Sequence, residues 1–193
     1  SIVGSVRQAR RLAKLGVDAV IAQGSEAGGH VGTITTMVLV PGVVDVVNVP
    51  VLAAGGIVDG RGIAAAFMLG AQGAWIGTRF IATVEATAHS NHKQRIVDAD
   101  EDGTVVSRSY TGKPSRVLRN TYTDRWKGHE QEIMPMPWQR IWVEELVAPA
   151  KAAGRVDIAN FPTGQGIGAI RDIPPAAALF ARLLEETPAA LRR

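Results

Sequence analysis

The feature that most constrains the fold of this chain is a unit of helix end, glycine and apolar strand that occurs twice. Residues 13–20 read AKLGVDAV, and residues 67–74 read FMLGAQGA. In each copy the glycine, Gly16 or Gly70, is placed to end a helix in the left-handed conformation, and the apolar residues after it predict a buried strand. Helices that alternate with buried strands require a parallel sheet with right-handed crossovers. The sequence therefore predicts an α/β fold built from repeated βα units.

This rhythm covers the first part of the chain and is lost further on. Strands are predicted at 17–22, 49–54, 73–76 and 104–110, and helices between Ser5 and Gly16, over about 38–47, over 59–69 and after Pro174-Pro175. Ser5 and Gln8 form the pattern of a capping box, in which the serine closes the first turn and the glutamine reaches back. Asp59 is placed to cap the third helix.

Composition and charge exclude several classes of function. The chain has 193 residues, 46% of them hydrophobic, which allows a substantial core, and its net charge of +3 comes from scattered basic residues that do not indicate nucleic-acid binding. No apolar run has the length of a membrane span, so a cytoplasmic location without a membrane partner is expected. The absence of cysteine excludes disulfides and thiol catalysis. His89, His92 and His129 lack partners at metal-ligand spacing, so they are expected at the surface and no metal site is predicted.

Three predicted strands end in glycine-rich tips, at Gly28–His30, Gly55-Gly56 and Gly77-Thr78. In a (β/α)8 barrel the carboxyl ends of the strands share one face, and the loops after the later strands form a phosphate site. We therefore expect the backbone N–H groups of the second and third tips to converge on one phosphate, with the Thr78 hydroxyl as a further donor. The start of the helix after Thr78 would add a favourable dipole.

His30 is the candidate catalytic base, because imidazole is the side chain best suited to moving protons near neutral pH. The alternative interpretation is a tight turn followed by an incidental surface histidine. Glu26, in the same loop, is interpreted as a solvated side chain rather than a second catalytic carboxylate.

Three ordered motifs, QGSEAGGH at 23–30, AAGGI at 53–57 and IGTRF at 76–80, resemble those of the nitronate monooxygenase family, formerly called 2-nitropropane dioxygenases. The resemblance runs from about residue 2 to about residue 120 and resumes at Gly164-Gln165. It implies a TIM barrel that holds FMN non-covalently and oxidises alkyl nitronates or nitroalkanes with O2.

The resemblance also implies roles for individual residues. His30 would be the catalytic base. The implied cofactor-binding residues are Gln23, Gly28, Gly55, Gly56, Ile76, Gly77 and Thr78. Among these, Gln23 and Gly28 would lie against the flavin, and the two later glycine tips would hold its phosphate.

The resemblance further implies that the chain covers roughly the later four βα units of a (β/α)8 barrel. Residues 1–111 would form those units with the flavin site, and 161–193 would return to the barrel with a final helix. Residues 112–160 are interpreted as a mostly helical insertion over the barrel mouth, or as an exposed partner-binding helix. Half a barrel leaves outer strands unpaired, which favours aggregation or pairing of two copies as a homodimer.

Two other functions remain open at this point. The glycine motifs are equally typical of an NAD(P)H-dependent FMN reductase, of the enoyl-ACP or quinone reductase type. A non-catalytic fragment that binds a phosphate ligand is the alternative of another class. The glycines of residues 163–168 do not have the spacing of the dinucleotide fingerprint, so a Rossmann fold is not predicted.

Overall fold

A computed structural model describes residues 1–192. The strands are β1 (Ile2–Val3), β2 (Val20–Gln23), β3 (Gly29–His30), β4 (Val51–Ala54), β5 (Gly73–Trp75), β6 (Thr104–Ser107) and β7 (Ser115–Leu118). The helices are α1 (Val6–Lys14), α2 (Thr36–Val44), α3 (Gly60–Met68), α4 (Thr78–Ile81), α5 (Ser90–Val97), α6 (Thr121–Arg125), α7 (Trp138–Ala152) and α8 (Ala176–Leu191), with short 3-10 helices at Glu130–Glu132 and Gln165–Ala169. No helix among these residues is long and apolar enough to cross a membrane.

The predicted parallel sheet is confirmed. Its strand order is β1-β2-β4-β5, and every neighbouring pair is parallel. Ala22 lies opposite Ala53, and Ala53 lies opposite Ala74, so small side chains stack across the sheet. β1 was not predicted, because a two-residue strand carries no readable periodicity. The architecture is that of a partial (β/α) barrel, with the carboxyl ends of the strands at one edge.

Local signals in the sequence account for the helix ends. Gly16 and Gly70 have φ angles of 79° and 90°, which confirms the left-handed helix stops of the repeated unit. The Ser5 hydroxyl accepts the N–H of Gln8 as predicted, but the Gln8 side chain accepts the N–H of Gly4 rather than that of Ser5. Asp59 caps α3 as predicted, by accepting the N–H groups of its first turn.

The core lies between the parallel sheet and helices α1 and α2. Val20, Ala22, Ala53, Leu39 and Val43 are fully buried there. The strands contribute mainly valine and alanine, so the helices lie close to the sheet. This packing fixes the positions of the strand ends, and with them the loops that follow.

The strand predicted at 104–110 is shorter than expected and lies in a different sheet. β6 ends at Ser107 and pairs antiparallel with β7, which in turn pairs antiparallel with β3. The chain reverses at Gly112, which has a φ of 81° and donates its N–H to Arg108 O. A tight turn of this kind can join only antiparallel strands, since a parallel pair needs a long crossover.

Residues 112–160 contain β7, α6 and α7. The buried side of α7, with Val143 and Val147, packs against Tyr110 of the turn and Val117 of β7. The segment begins and ends at adjacent places, because Val117 forms a bridge with Pro162 and the neighbouring N–H of Leu118 donates to Phe161 O at 3.1 Å.

Candidate active site

The three glycine tips converge at the carboxyl edge of the parallel sheet. They surround a cavity of about 220 Å³. Six of the predicted cofactor-binding residues line it: Gln23, Gly28, Gly55, Gly56, Gly77 and Thr78. Trp75, at the end of β5, and Pro162 form part of the wall.

Glycine is required at this site for two physical reasons. Gly55 and Gly56 have φ angles of 110° and 72°, a backbone conformation that side chains rarely adopt. At Gly28 the constraint is space, because a Cβ atom would lie 2.8 Å from the backbone nitrogen of Gly164. The loops therefore present bare backbone to the cavity.

A fourth loop, not included among the predicted site residues, closes the cavity. Gly164 and Gly166 line it, although the dinucleotide pattern had been excluded there and no other role assigned. The Gly164 N–H donates to the Thr78 hydroxyl at 2.8 Å, and the Gln165 N–H donates to Glu26 O at 2.8 Å. The sequence signal that could have identified this loop is the alternation of glycines at 164, 166 and 168, directly after a stretch without helical or strand periodicity.

The helix expected after the third glycine tip is present but short. α4 has only four residues, so its dipole is that of a single turn. Thr78, its first residue, uses an oxygen lone pair to accept the Gly164 N–H, which leaves its own hydrogen available to a ligand. The donor at this point of the cavity is therefore chiefly the hydroxyl.

Glu26 was expected to be a solvated side chain, but it caps helix α2. Its two carboxylate oxygens accept the Thr36 N–H at 3.0 and 2.9 Å, and one of them accepts the Thr36 hydroxyl at 3.0 Å. A carboxylate at the amino end of a helix is stabilised by the helix dipole and the free N–H groups. This cap also explains why α2 begins at Thr36, two residues before the predicted start.

His30 lies on β3 with its imidazole held by a hydroxyl. Nε2 is 2.9 Å from Thr111 Oγ1, and the Gln23 side-chain amide donates to the His30 carbonyl at 2.7 Å. Partial burial lowers the pKa of His30, and the positive charges of Lys113 and Arg140 lower it further. The imidazole is therefore neutral near pH 7 and can accept a proton.

His30 does not line the glycine cavity itself but a larger one beside it, of about 1250 Å³. Ile76 also faces this larger cavity and not the smaller one. The two spaces share Gly77, Ile81 and Pro162 as a common wall. The predicted base therefore lies in the cavity next to the glycine cavity, separated from it by this common wall.

His92 was expected at the surface, and this prediction is wrong. The residue is only 5% exposed, its Nε2 lies 3.0 Å from Thr163 Oγ1, and its ring stacks on Phe161 at a centroid distance of 4.5 Å. Burial lowers the pKa of His92 to about 4. Thr163 precedes Gly164, so this buried contact ties α5 to the loop that closes the glycine cavity.

No group of three or more His, Cys, Asp or Glu side chains suited to holding a metal ion occurs in residues 1–192.

A parallel βα sheet that carries glycine-rich loops at its carboxyl edge is the arrangement of TIM-barrel enzymes. Residues 1–186 match the family model described as nitronate monooxygenase. The chain belongs to the nitronate monooxygenase family.

Individual relatives agree with this assignment. A Bacillus subtilis protein named "Probable nitronate monooxygenase" is 34% identical over 191 residues, which cover 94% of this chain and 55% of that protein. FabK from Thermotoga maritima is 41% identical with a TM-score of 0.89, over 99% of this chain and 61% of FabK. Nitroalkane oxidase from Streptomyces ansochromogenes is 34% identical with a TM-score of 0.88, over 98% of this chain and 57% of that one. The chain spans about half the length of the curated relatives it matches.

Proposed function

We propose that this protein is an FMN-dependent enzyme that oxidises alkyl nitronates or nitroalkanes with O2, with His30 as the base. The observation that carries the proposal is the shared wall between the glycine cavity and the cavity of His30. A cofactor anchored in the first space would extend toward a substrate held in the second. The family and the likeness to a nitroalkane oxidase support the same reaction class.

The chemistry of the glycine cavity fits a phosphate group. Its lining residues in the described chain include no acidic side chain, and backbone dominates at Gly55, Gly56 and Gly77. Backbone N–H groups at such glycine turns and the Thr78 hydroxyl are suitable donors to phosphate oxygens. Gln23 and Gly28 would lie against the remainder of the FMN. When bound, FMN would supply the electron acceptor, which O2 then reoxidises.

The protein's own part in the reaction is a proton transfer. A proton on the carbon next to a nitro group is acidic enough for an imidazole to remove. Because Thr111 engages Nε2 of His30, we expect Nδ1 to take this proton. The lowered pKa of His30 keeps the imidazole neutral and ready for this role near pH 7. The side-chain amide of Gln23 donates a hydrogen bond to the carbonyl of His30 and so helps to hold β3 in place.

The test separates proton abstraction from binding, by comparing a neutral nitroalkane with the corresponding pre-ionised nitronate. We expect His30→Asn to lose about 10²–10⁴-fold in rate on the nitroalkane, the usual contribution of a general base. On the nitronate, which needs no deprotonation, the variant should retain most of its activity. FMN content should hardly change.

Exposed His129 provides the matched control, since His129→Asn removes an imidazole that lines neither cavity. Equal losses of the His30 variant on both substrates would mean that His30 positions the ligand instead of removing a proton. No loss on either would make it an incidental surface histidine.

An NAD(P)H-dependent FMN reductase is the second candidate, favoured by the similarity to FabK. A steady-state comparison of NADH with quinone against propionate 3-nitronate with O2 distinguishes the two. A preference for NADH and quinone would overturn the proposed oxidation. Protein that purifies without the absorption of a flavin would instead indicate a non-catalytic phosphate-binding role.

A further inference from the structure

Gly56 has a backbone N–H group that is available to a ligand. The residue lines the glycine cavity, and its N–H donates to no backbone carbonyl within residues 1–192. Most backbone N–H groups inside a folded protein are paired, so a free one beside a cavity is suited to a ligand acceptor such as a phosphate oxygen. Whether this donor can reach a ligand depends on the orientation of the peptide that joins Gly55 to Gly56.

The carbonyl of that peptide is held by Thr36, the first residue of α2. The Thr36 hydroxyl lies 3.1 Å from Gly55 O and 3.4 Å from Ala54 O. The peptide between Gly55 and Gly56 is trans, so its C=O and N–H groups point in opposite directions. Thr36 borders a separate space of about 370 Å³ and does not line the glycine cavity. A carbonyl that points toward Thr36 therefore directs the Gly56 N–H away from α2.

Glu26 holds Thr36 in this position. Its carboxylate accepts both the N–H and the hydroxyl of Thr36. The hydroxyl has a single hydrogen, which is shared between the carboxylate at 3.0 Å and the Gly55 carbonyl at 3.1 Å. The backbone carbonyl of Glu26 accepts the Gln165 N–H at 2.8 Å. One residue thus joins the start of α2, the second glycine tip and the loop that closes the glycine cavity.

The Thr36 hydroxyl reaches Gly55 O because the residues around it have no side chains. A Cβ atom at Gly55 would lie 2.9 Å from Thr36 Oγ1, and one at Gly24 would overlap it. Helix capping alone does not require this contact, since a cap binds the N–H groups of the first turn and not the carbonyl of a neighbouring strand end. The contact therefore needs an explanation at the glycine tip rather than in α2.

We propose that Thr36 is a positioning residue for the cofactor phosphate. Its hydroxyl, oriented by Glu26, fixes the peptide between Gly55 and Gly56 so that the Gly56 N–H is directed into the glycine cavity. This inference rests on the proposed function, in which that cavity holds the phosphate of FMN. Thr36 does not itself touch the phosphate. It should therefore affect the affinity for the phosphate group and not the affinity for the flavin ring.

The test compares FMN with riboflavin, which has the same ring and ribityl chain but no phosphate. The full-length protein is freed of flavin, and the dissociation constant of each compound is measured by isothermal titration calorimetry. Wild-type protein should bind FMN more tightly than riboflavin. Thr36→Val removes the hydroxyl and keeps the shape of the side chain. It should weaken FMN by about 10-fold, the usual contribution of one hydrogen bond to a charged group, and leave riboflavin unchanged.

Three further variants separate the hydroxyl from the stability of the fold. Thr36→Ser keeps the hydroxyl and should recover most of the FMN affinity. Thr35→Val is the matched control, because Thr35 is exposed and its side chain makes no hydrogen bond to the first turn of α2. It should change neither dissociation constant. Retained riboflavin binding would show that Thr36→Val is folded. If it is not, Thr36→Ala against Thr36→Ser tests the same hydroxyl.

The proposal is overturned if loss of the Thr36 hydroxyl weakens FMN and riboflavin equally, which would indicate a general role in the fold, or if it changes neither. An equal, FMN-selective loss in Thr35→Val would also overturn it. Wild-type protein that binds both flavins equally would refute the phosphate site of the proposed function, and this inference with it. Protein that shows the expected binding pattern but does not oxidise nitro compounds would refute the proposed oxidation and leave the role of Thr36 standing.

Discussion

The smaller cavity, of about 220 Å³, is walled mainly by backbone at Gly55, Gly56 and Gly164, whereas the larger one, of about 1250 Å³, is walled by side chains, many from α7. In the smaller cavity, several lining glycines leave no room for a Cβ atom or have φ angles that residues with a side chain rarely adopt. In the second, a substitution changes the size or charge of the space without changing the path of the backbone. The first site is therefore rigidly specified, and the second can be altered one side chain at a time.

The largest effect is expected from breaking the backbone wall. Gly56→Leu in the full-length protein should abolish FMN binding and give colourless protein, because Gly56 lines the cavity and has a φ of 72°, and an added Cβ would already lie 3.5 Å from Glu26 Cβ. Gly16→Leu is the matched control: Gly16 has a φ of 79°, but nothing lies within 4 Å of the added Cβ. Its flavin absorbance should remain normal. Undiminished flavin in purified Gly56→Leu would show that the phosphate is held elsewhere.

An intermediate effect is expected at His92, which lines the larger cavity while holding a loop of the smaller one. Its pKa is about 4 in the folded protein against 6.5 when exposed, so the unfolded chain binds the extra proton between these values. The free energy of unfolding should therefore fall as pH is lowered from about 6.5 to about 4, by about 3 kcal/mol from this residue. Urea unfolding across this range measures the slope.

The variant His92→Gln can keep a donor to Thr163 but cannot titrate, so its unfolding free energy should lose this part of the pH dependence. His129→Gln serves as the control. The exposed His129 has its pKa raised by Glu132, so its removal cannot abolish a loss of stability toward acid. An identical slope in wild type and His92→Gln would contradict the assignment.

The smallest effect should come from the charge of Lys113, outside both cavities. Since the imidazole of His30 must be neutral to accept a proton, kcat/KM for a neutral nitroalkane should be lost as pH falls through its pKa, which lies below 6.5. Lys113→Gln removes a charge that opposes protonation, so this acidic limb should move to higher pH. Lys14→Gln, on distant α1, should leave it in place. A shift toward lower pH would reverse the expected sign.

Sequence reasoning succeeded where the determinant was local. The strand ends at Gln23, Ala54 and Trp75 follow helix stops and apolar runs that can be read within ten residues, and the glycine tips follow directly. Because parallel strands share a carboxyl edge, the convergence of those tips could also be predicted. The chemical identity of the ligand there stays a prediction.

Features that depend on contacts between residues far apart in the sequence could not be predicted. The closing loop at Gly164 is placed by contacts with Thr78 and Glu26, which lie far away in sequence. The burial of His92 depends on the contact of its ring with Phe161, and no local sequence pattern predicts that contact. The strand predicted at 104–110 runs past the end of β6 into the turn, and β7 lies in the segment that was expected to be mostly helical, because Gly112 alone marks the reversal.

The bridge between Val117 and Pro162 has a consequence for how this fold can diversify. Residues 119–160, which include α7, leave and rejoin the body of the protein at neighbouring backbone positions. A segment attached in this way behaves as an exchangeable module. Its length and its side chains can change, in evolution or by design, while the glycine cavity keeps its shape. The same glycine cavity can thereby be combined with larger cavities of different shapes.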